Sequence, residues 1–250
     1  MKSNKLVLLL FVLSLQVFGL QAQKRIAREV HVGLIGGATL SNYRFNPSVS
    51  QSMAQGLTFG LAARYIEENI FGLQAELLFN QRGFKDQFDP ELYPTLSFER
   101  TITYLELPIL AHVYFRLGKK NEISLDLGPK LGFYLSDSSK GNLVGEEWEK
   151  AKQAVTHGYK HHEEPVSKKF DYGIQVNVGY EFKFTQNLSL QLQGRYYFGL
   201  SNMFADEKSN AFENSANQQI QITASFWYRT QIAKFFIKKQ MKKALKKRDL

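Results

Sequence analysis

Eleven charged side chains along this sequence could share one polar interior. Six are basic and five are acidic, and they occupy polar positions in segments that alternate apolar and polar residues. Opposite charges removed from water must pair, because an unpaired buried charge is strongly destabilising. Mixed signs also disfavour strong ion selectivity, which needs rings of one sign. We therefore predict a plug of ion pairs, with a narrow selective pore as the alternative. The residues are Arg64, Glu76, Arg82, Glu106, Arg116, Asp126, Lys130, Asp171, Glu181, Arg195 and Arg229.

A histidine-rich segment is the second place where residue spacing could serve chemistry. Residues 145–164 are predicted as a helix, which puts His157 and His161 on one face because they are four residues apart. Such a pair could provide two ligands for zinc or nickel. The segment has neither a second spaced ligand pair nor a His-Glu-x-x-His arrangement. A solvated polar loop is the favoured interpretation, and no metal or other cofactor is predicted.

Catalytic residues are not evident. The chain has no cysteine, which excludes disulfides, thiol nucleophiles and thiolate metal sites. If the strand-like segments close into a membrane barrel, a lipase or acyltransferase activity would need serine or histidine near the external rim of that barrel. His31 and His112 are predicted to face the lumen nearer the periplasmic end, and Ser136 at the external rim has no evident base. The protein is therefore predicted not to be an enzyme.

Strands must position these residues. Residues 170–182 alternate apolar or aromatic side chains with polar residues or glycine, and residues 188–200 and 220–228 repeat the pattern. A period of two makes one face of a strand apolar and the other polar. The apolar faces are continuous and aromatic at their ends, whereas the polar faces carry charge. This arrangement favours lipid outside and a polar lumen over a soluble sandwich.

Eight strands are predicted between residues 30 and 228. Short links at residues 66–69, 118–122 and 183–187 alternate with long links at 41–56, 84–97, 136–169 and 201–218. Outer-membrane barrels show this asymmetry, with short periplasmic turns and long external loops. The predicted fold is an all-β, eight-stranded antiparallel up-and-down transmembrane β-barrel, with a lumen that side chains fill.

Two prolines interrupt the strand pattern. Proline cannot donate to a strand ladder and normally occupies edges or bulges. Pro108 and Pro129 are therefore predicted to mark bulges. The alternative splits the fourth strand at Pro108 and gives nine shorter strands.

The termini differ from the body in charge and pattern. Residues 1–22 are predicted to be a signal peptide. Lys2 and Lys5 precede an apolar run that is too short for an ordinary membrane helix. An uncleaved anchor helix is the alternative. The formal charge of +9 comprises +2 from this segment and +7 from residues 231–250, so residues 23–230 are neutral. The C-terminal segment is predicted to be a short basic amphipathic helix in the periplasm, which lies on the membrane or docks a protein. A solvated extension is the alternative.

Three segments resemble the PorT-like outer-membrane β-barrel proteins of Bacteroidota. They are Tyr-Leu-Glu-Leu-Pro-Ile-Leu at 104–110, Phe-Gly-Leu-Gln-Ala-Glu-Leu-Leu-Phe at 71–79 and Leu-Gly-Pro-Lys-Leu-Gly at 127–132. The resemblance covers about residues 30–229 and implies a location in the cell outer membrane. The namesake of the family is a component of the type IX secretion system. Unlike the usual pattern, the chain continues for about twenty residues past the aromatic positions 226–228.

These patterns together predict a structural or interaction protein that acts through its external loops and periplasmic tail. An accessory role in type IX-like protein secretion and a narrow porin-like channel are the alternatives. The expected partners are outer-membrane lipid, the barrel assembly machinery and a periplasmic protein bound by the tail. Nucleic acid is not expected as a partner of an exported chain.

Overall fold

The computed structural model describes residues 29–67, 70–154, 159–162, 164–204 and 214–230. The predicted signal peptide and C-terminal tail lie outside these ranges, so the predicted tail helix has no support here. Within them, the helices are α1 (Gly145–Ala154) and a 3₁₀ turn (Lys160–His162). The strands are β1 (Glu29–Asn46), β2 (Gln51–Ser52), β3 (Ala54–Ile66), β4 (Phe71–Asp86), β5 (Ser97–Leu117), β6 (Asn121–Asn142), β7 (Phe170–Lys183), β8 (Leu188–Asn202) and β9 (Asn214–Thr230).

Eight of these strands close into a ring. The hydrogen-bonded order is β4-β3-β1-β9-β8-β7-β6-β5, and pairing of β4 with β5 completes the circle. Each pair is antiparallel, and β1 and β9, the first and last strands in the sequence, pair over residues 30–46 and 214–230. The two-residue strand β2 pairs with the external end of β4. The prediction of an eight-stranded antiparallel up-and-down barrel is confirmed.

The outer surface of the ring is apolar and the inner surface is polar. On β1, Leu34 is 64% exposed, whereas its lumen-facing neighbours Ile35 and Thr39 are buried. On β4, the outward-facing apolar positions run from Phe71 to Phe79, exposed as far as Leu77 and half-buried at Phe79. A tilted strand needs about 9–11 residues to cross the hydrocarbon core, so this band matches one bilayer. Residues beyond the band at the end of β4 belong to the external face.

Strand β5 passes through Pro108 without a break, so the alternative that splits this strand at Pro108 is wrong. The predicted bulges at Pro108 and Pro129 are wrong as well. Pairing between β5 and β6 is interrupted beside Pro108, but the register is the same on both sides of the gap. Pro108 lies opposite Lys130, and Ala111 lies opposite Leu127. Proline removes a ladder donor without inserting a residue, so the register survives. The register shift between β5 and β6 lies instead at Thr103 and Tyr104.

The external ends of the strands extend past the predicted bounds. Strand β6 continues to Asn142, and β1 reaches Asn46. The helix predicted over residues 145–164 ends at Ala154. Tyr159 then has a left-handed φ of 57°, which an α-helix does not accommodate, before the 3₁₀ turn begins. None of the helices within the described ranges has the length and apolar character needed to cross a membrane.

A second apolar core covers the external end of the barrel. It combines residues from the external ends of strands with residues from the loops after β6 and β8, and we refer to it as the external cap. Its buried members are Tyr43, Phe45, Phe84, Phe98, Ile102, Tyr104, Val166, Met203 and Phe204. The cap buries apolar side chains away from lipid at the external end of the polar lumen.

Candidate functional site: the charged lumen and its external cap

Arg64 occupies the centre of the network in the periplasmic half of the lumen. Its Nη1 donates to Glu181 Oε2 at 2.8 Å, and its Nε and Nη2 donate to Gln74 Oε1 at 2.8 Å and Gln191 Oε1 at 2.7 Å. The guanidinium also lies 4.1 Å from the ring centroid of Trp227. The planar donors of arginine suit several acceptors at once, so this buried charge is well compensated.

A second bridge joins opposite walls near the middle of the barrel. Arg195 Nη1 on β8 lies 2.6 Å from Glu76 Oε2 on β4, and Arg195 Nη2 donates to Gln193 Oε1 at 2.7 Å. Gln74 donates to the other carboxylate oxygen of Glu76. Because β8 and β4 are four positions apart in a ring of eight, this pair crosses the full width of the lumen.

Two carboxylates hold the cations of the external half. Lys130 Nζ lies 2.9 Å from Glu106 Oε2, and Arg82 Nη1 lies 2.6 Å from Asp171 Oδ2. Aromatic rings cover both cations: Arg82 lies 3.5 Å from the ring centroid of Tyr104, and Lys130 Nζ lies 3.9 Å from that of Tyr197. Such cation–π contacts are favourable where the cation is desolvated.

Asp126 completes the network on the β6 wall. Its Oδ1 lies 2.6 Å from His112 Nδ1, and its Oδ2 accepts hydrogen bonds from Gln193 Nε2 at 2.7 Å and Asn177 Nδ2 at 3.3 Å. The predicted lumen position of His112 agrees with its burial. Asp126 and its three partners are buried, so these contacts compensate polar groups that have been removed from water.

Nine of the eleven charged residues predicted for the lumen are buried. The other two, Arg116 and Arg229, lie at the periplasmic rim because β5 and β9 end one residue later. The side chain of Arg116 is 43% exposed and pairs with Glu122 at 3.2 Å, and Arg229 pairs with Glu29 at 3.2 Å. The alternation of side chains determines which face of the strand these residues occupy. Their exposure to water depends on how close they are to the end of the strand.

Uncharged polar side chains form much of the network, although the network predicted from the sequence consisted of charged residues only. Asn80 Nδ2 donates to Glu106 Oε1 at 3.0 Å and to Gln219 Oε1 at 3.0 Å, joining β4, β5 and β9. Trp227, counted among the terminal aromatic residues, is buried in the lumen and donates from Nε1 to Gln191 Oε1 at 2.9 Å. The sequence does indicate this inward position, because Trp227 alternates on β9 with the polar residues 221, 223 and 225.

Both ends of the lumen are narrow in the part of the barrel that the structure describes. A periplasmic cavity of about 10 Å³ is lined by His31, Arg64, His112, Arg116 and other rim residues. That volume holds about one water molecule. At the opposite end, the external cap covers the network with aromatic rings.

The side chains of two loop histidines are buried in the cap rather than solvated, which corrects the favoured interpretation of this segment. The Nε2 atoms of His161 and His162 lie 2.8 and 2.6 Å from Asp86 Oδ2, at the external end of β4 beyond the apolar band. Burial raises the pKa of Asp86, but the hydrogen bonds with both imidazoles outweigh it and hold this pKa below its usual range. His157 lies outside the described residues.

The fold and its polar interior define an outer-membrane β-barrel protein. Residues 21–205 match the family described as outer membrane protein beta-barrel domain. The match covers more than half of the chain, so the chain belongs to this family, and its location is the cell outer membrane. The finer resemblance to the PorT-like proteins stays a prediction. No curated protein sequence matches the chain.

Several solved outer-membrane proteins are similar in structure at low sequence identity. Neisserial surface protein A is 14% identical, with 80% of this chain and 96% of that chain covered and a TM-score of 0.42. Ail, the attachment invasion locus protein of Yersinia pestis, is 12% identical, with 81% and 100% covered and a TM-score of 0.39. OprG of Pseudomonas aeruginosa is 8% identical, with 82% and 97% covered and a TM-score of 0.39.

Proposed function

We propose that this protein is a non-enzymatic outer-membrane barrel with a closed lumen, and that it acts as a structural or interaction protein through its external loops. The bridging of opposite walls by Arg195 and Glu76 carries the proposal. Arg64 and Glu181, on β3 and β7, bridge a second opposite pair of walls. A lumen filled in this way has no continuous path for water or ions.

Energetics favour this closed lumen over the porin-like alternative. Removing one partner of a buried ion pair typically costs about 3–5 kcal/mol, so separating several pairs at once is strongly unfavourable. The mixed signs of the lumen also lack the single-sign ring that an ion-selective filter uses. Close packing of the lumen instead holds in place the strand ends that carry the external loops.

Electrical recording tests the closed lumen. The purified protein, reconstituted in planar bilayers, is expected to show no steady openings. The double variant Glu76→Ala/Arg195→Ala shortens both side chains of the central bridge and is expected to give small steady openings, which shows that the assay detects a narrow path. Steady openings of the unmodified barrel at moderate voltage would refute the proposal.

Contacts among the external loops support an ordered surface for interaction. Thr95 Oγ1 donates to Glu147 Oε2 at 2.8 Å, and Asn142 Nδ2 donates to the carbonyl of Thr95 at 3.0 Å. These bonds join the β4–β5 loop, α1 and the end of β6. Leu92 and Val144 are exposed apolar residues on this external side. An ordered surface loses less conformational entropy on binding than a flexible one does.

Site-specific cross-linking tests this surface, because the chain has no native cysteine. A photoreactive label on Val144→Cys is expected to give protein adducts in intact cells, since this residue points away from the barrel. The same label on Leu34→Cys, in the lipid-facing band, is the matched control and is expected to give no external protein adducts. Equal patterns for the two positions would contradict an interaction surface on the loops.

A secretion accessory role is the second candidate, and it rests on the PorT-like resemblance. The three segments that carry the resemblance lie side by side on β4, β5 and β6, where Phe79 pairs with Leu105 and Leu107 pairs with Leu131. This role predicts that cells without the protein release less cargo by the type IX-like route. Unchanged release would exclude it.

The predicted basic tail is proposed to dock a periplasmic partner. Its charge of +7 supports an acidic protein surface or anionic lipid as the contact. Co-purification from cross-linked cells, with and without residues 231–250, is the test. If deletion changes neither the partners nor the membrane fraction, the docking role fails.

A further inference from the structure

Asp86, His161 and His162 bring metal-ligating atoms together at the external end of the barrel. The Nε2 atoms of both histidines approach the same oxygen, Asp86 Oδ2, at 2.8 and 2.6 Å. The three residues offer ligand atoms that all lie within 4.8 Å of one another. We propose that this triad binds a divalent transition metal ion, with Zn²⁺ as the best match. The proposal is independent of whether the lumen conducts.

The donor chemistry fits zinc. Zinc binds imidazole nitrogen and carboxylate oxygen at about 2.0–2.2 Å and prefers tetrahedral geometry, so its ligand atoms lie about 3.3 Å apart. The two Nε2–Oδ2 distances must therefore open by about half an ångström, which small side-chain rotations provide. Two imidazoles with one carboxylate also favour zinc over magnesium or calcium, which prefer oxygen ligands. Water or another donor would occupy the fourth position.

Asp86 carries a charge that a bound cation would balance. Among the described residues, its ion pairs are with His161 and His162. Its second oxygen, Oδ1, is buried and has no hydrogen-bond partner within the described part of the chain. Arg100 is nearby, with Nη1 3.5 Å from the carbonyl oxygen of His161, but its charge is paired with Asp137 at 2.6 Å. A buried carboxylate is costly without a cation, and a metal ion supplies one.

Aromatic rings pack against the triad and would limit the access of bulk solvent to a bound ion. Phe98 stacks on His162 with ring centroids 3.7 Å apart, and the rings of Trp148 and His162 are stacked with centroids 5.5 Å apart. The shell around a metal site controls solvent access and so affects affinity. A metal ion in this position would fasten residues 161–162 to β4 and hold the external cap over the lumen.

Zinc binding by the full chain tests the proposal directly. The protein is purified without a histidine tag, folded in lipid vesicles and freed of metal with a chelator. Competition with a chromophoric chelator is expected to show one Zn²⁺ per chain, and Co²⁺ is expected to give the visible absorption of a tetrahedral site. Asp86→Asn keeps the size of the side chain and is expected to weaken Zn²⁺ binding by about 100-fold or more, since even outer-shell changes cost 10–100-fold.

Variants of three histidines distinguish this triad from other sites. His31→Gln removes another buried histidine that contacts a carboxylate, Glu29, and is expected to leave Zn²⁺ affinity unchanged. Circular dichroism checks that each variant is folded. Loss of binding in His157→Ala with retention in His162→Ala would assign the ion to the histidines four residues apart and overturn the proposal. Failure of the unmodified protein to bind Zn²⁺, or equal affinity in folded Asp86→Asn, would also overturn it.

Discussion

Arg195 and Glu76 form a 2.6 Å ion pair across the lumen although their strands, β8 and β4, face each other from opposite sides of the ring. Neighbouring strands are already held by the backbone ladder, whereas opposite strands have no such link. A pair across the full width therefore fixes the cross-section of the barrel and occupies its centre. The same contact both stabilises the barrel and closes it.

A double-mutant cycle on this pair separates the cost of an unpaired charge from the value of the pair. Arg195→Met and Glu76→Leu are each expected to lower the free energy of unfolding by about 3–5 kcal/mol, because each leaves one buried charge alone. The double variant is expected to lose less than the two single losses combined, since no lone charge remains. Urea unfolding in lipid vesicles provides the measurement.

The exposed pair Glu146–Lys150 on α1 is the matched control for that cycle. Both side chains are largely solvated, so Lys150→Met is expected to leave the free energy of unfolding unchanged within error. Strictly additive losses for Arg195→Met and Glu76→Leu would mean that the two residues do not interact, contrary to the structure.

Acid sensitivity is expected from Asp137, which follows the apolar band on β6. Burial raises the pKa of Asp137, but hydrogen bonds from Tyr134 and Arg100 outweigh burial and lower it. The folded-state pKa is then below the unfolded one, so this group stabilises the barrel above about pH 4 and loses that effect as the pH falls through its folded pKa.

Asp137→Asn checks the acid dependence. At neutral pH the variant is expected to lose about 1–2 kcal/mol, a value between those of exposed and fully buried pairs. Its free energy of unfolding should also change less than that of the unmodified protein between about pH 5 and pH 2. Parallel pH profiles for the two proteins would show that this carboxylate does not contribute.

Gly118 in the β5–β6 turn is expected to resist substitution for a conformational reason. Its φ is 78°, in the left-handed region that glycine adopts readily, and an added Cβ would meet no atom within 4 Å. Gly118→Ala should therefore cost about 1 kcal/mol from backbone strain alone. The control is Gly36→Ala, where space is also open and φ is not in that region. Equal unfolding free energies for these two variants would contradict the assigned turn.

Strand periodicity predicted the barrel because lipid and lumen impose opposite preferences on alternate residues. The same pattern predicted the inward position of Arg64, Glu76 and Arg195. Strand ends were less predictable, since the external extensions of β1 and β6 depend on pairing rather than on contact with lipid. Pro108 was misread as a bulge because the sequence does not reveal whether a missing donor is accompanied by an extra residue.

Contacts between residues far apart in the sequence could not be predicted from local patterns. Asp86 lies 75 and 76 positions before His161 and His162, and no local spacing signals their approach. The prediction of a continuous helix directed attention to His157 and His161, whereas the described helix is Gly145–Ala154 and the ring of His161 packs against Phe45 in the cap. Burial of these imidazoles follows from cap packing, which only the three-dimensional arrangement reveals.

Fluorescence quenching by lipids brominated on their acyl chains tests the central claim, that apolar residues face lipid and polar ones fill the lumen. The chain has two tryptophans, so Trp148→Phe leaves Trp227, which is 1% exposed, as the sole indole. Its emission should be insensitive to brominated lipid. The matched variant carries Phe226→Trp in a Trp148→Phe/Trp227→Phe background. Its single indole replaces a lipid-facing side chain that is 50% exposed, so its emission should be strongly quenched. Equal quenching at the two positions, or stronger quenching of Trp227, would contradict a barrel with apolar residues facing lipid and polar residues filling the lumen.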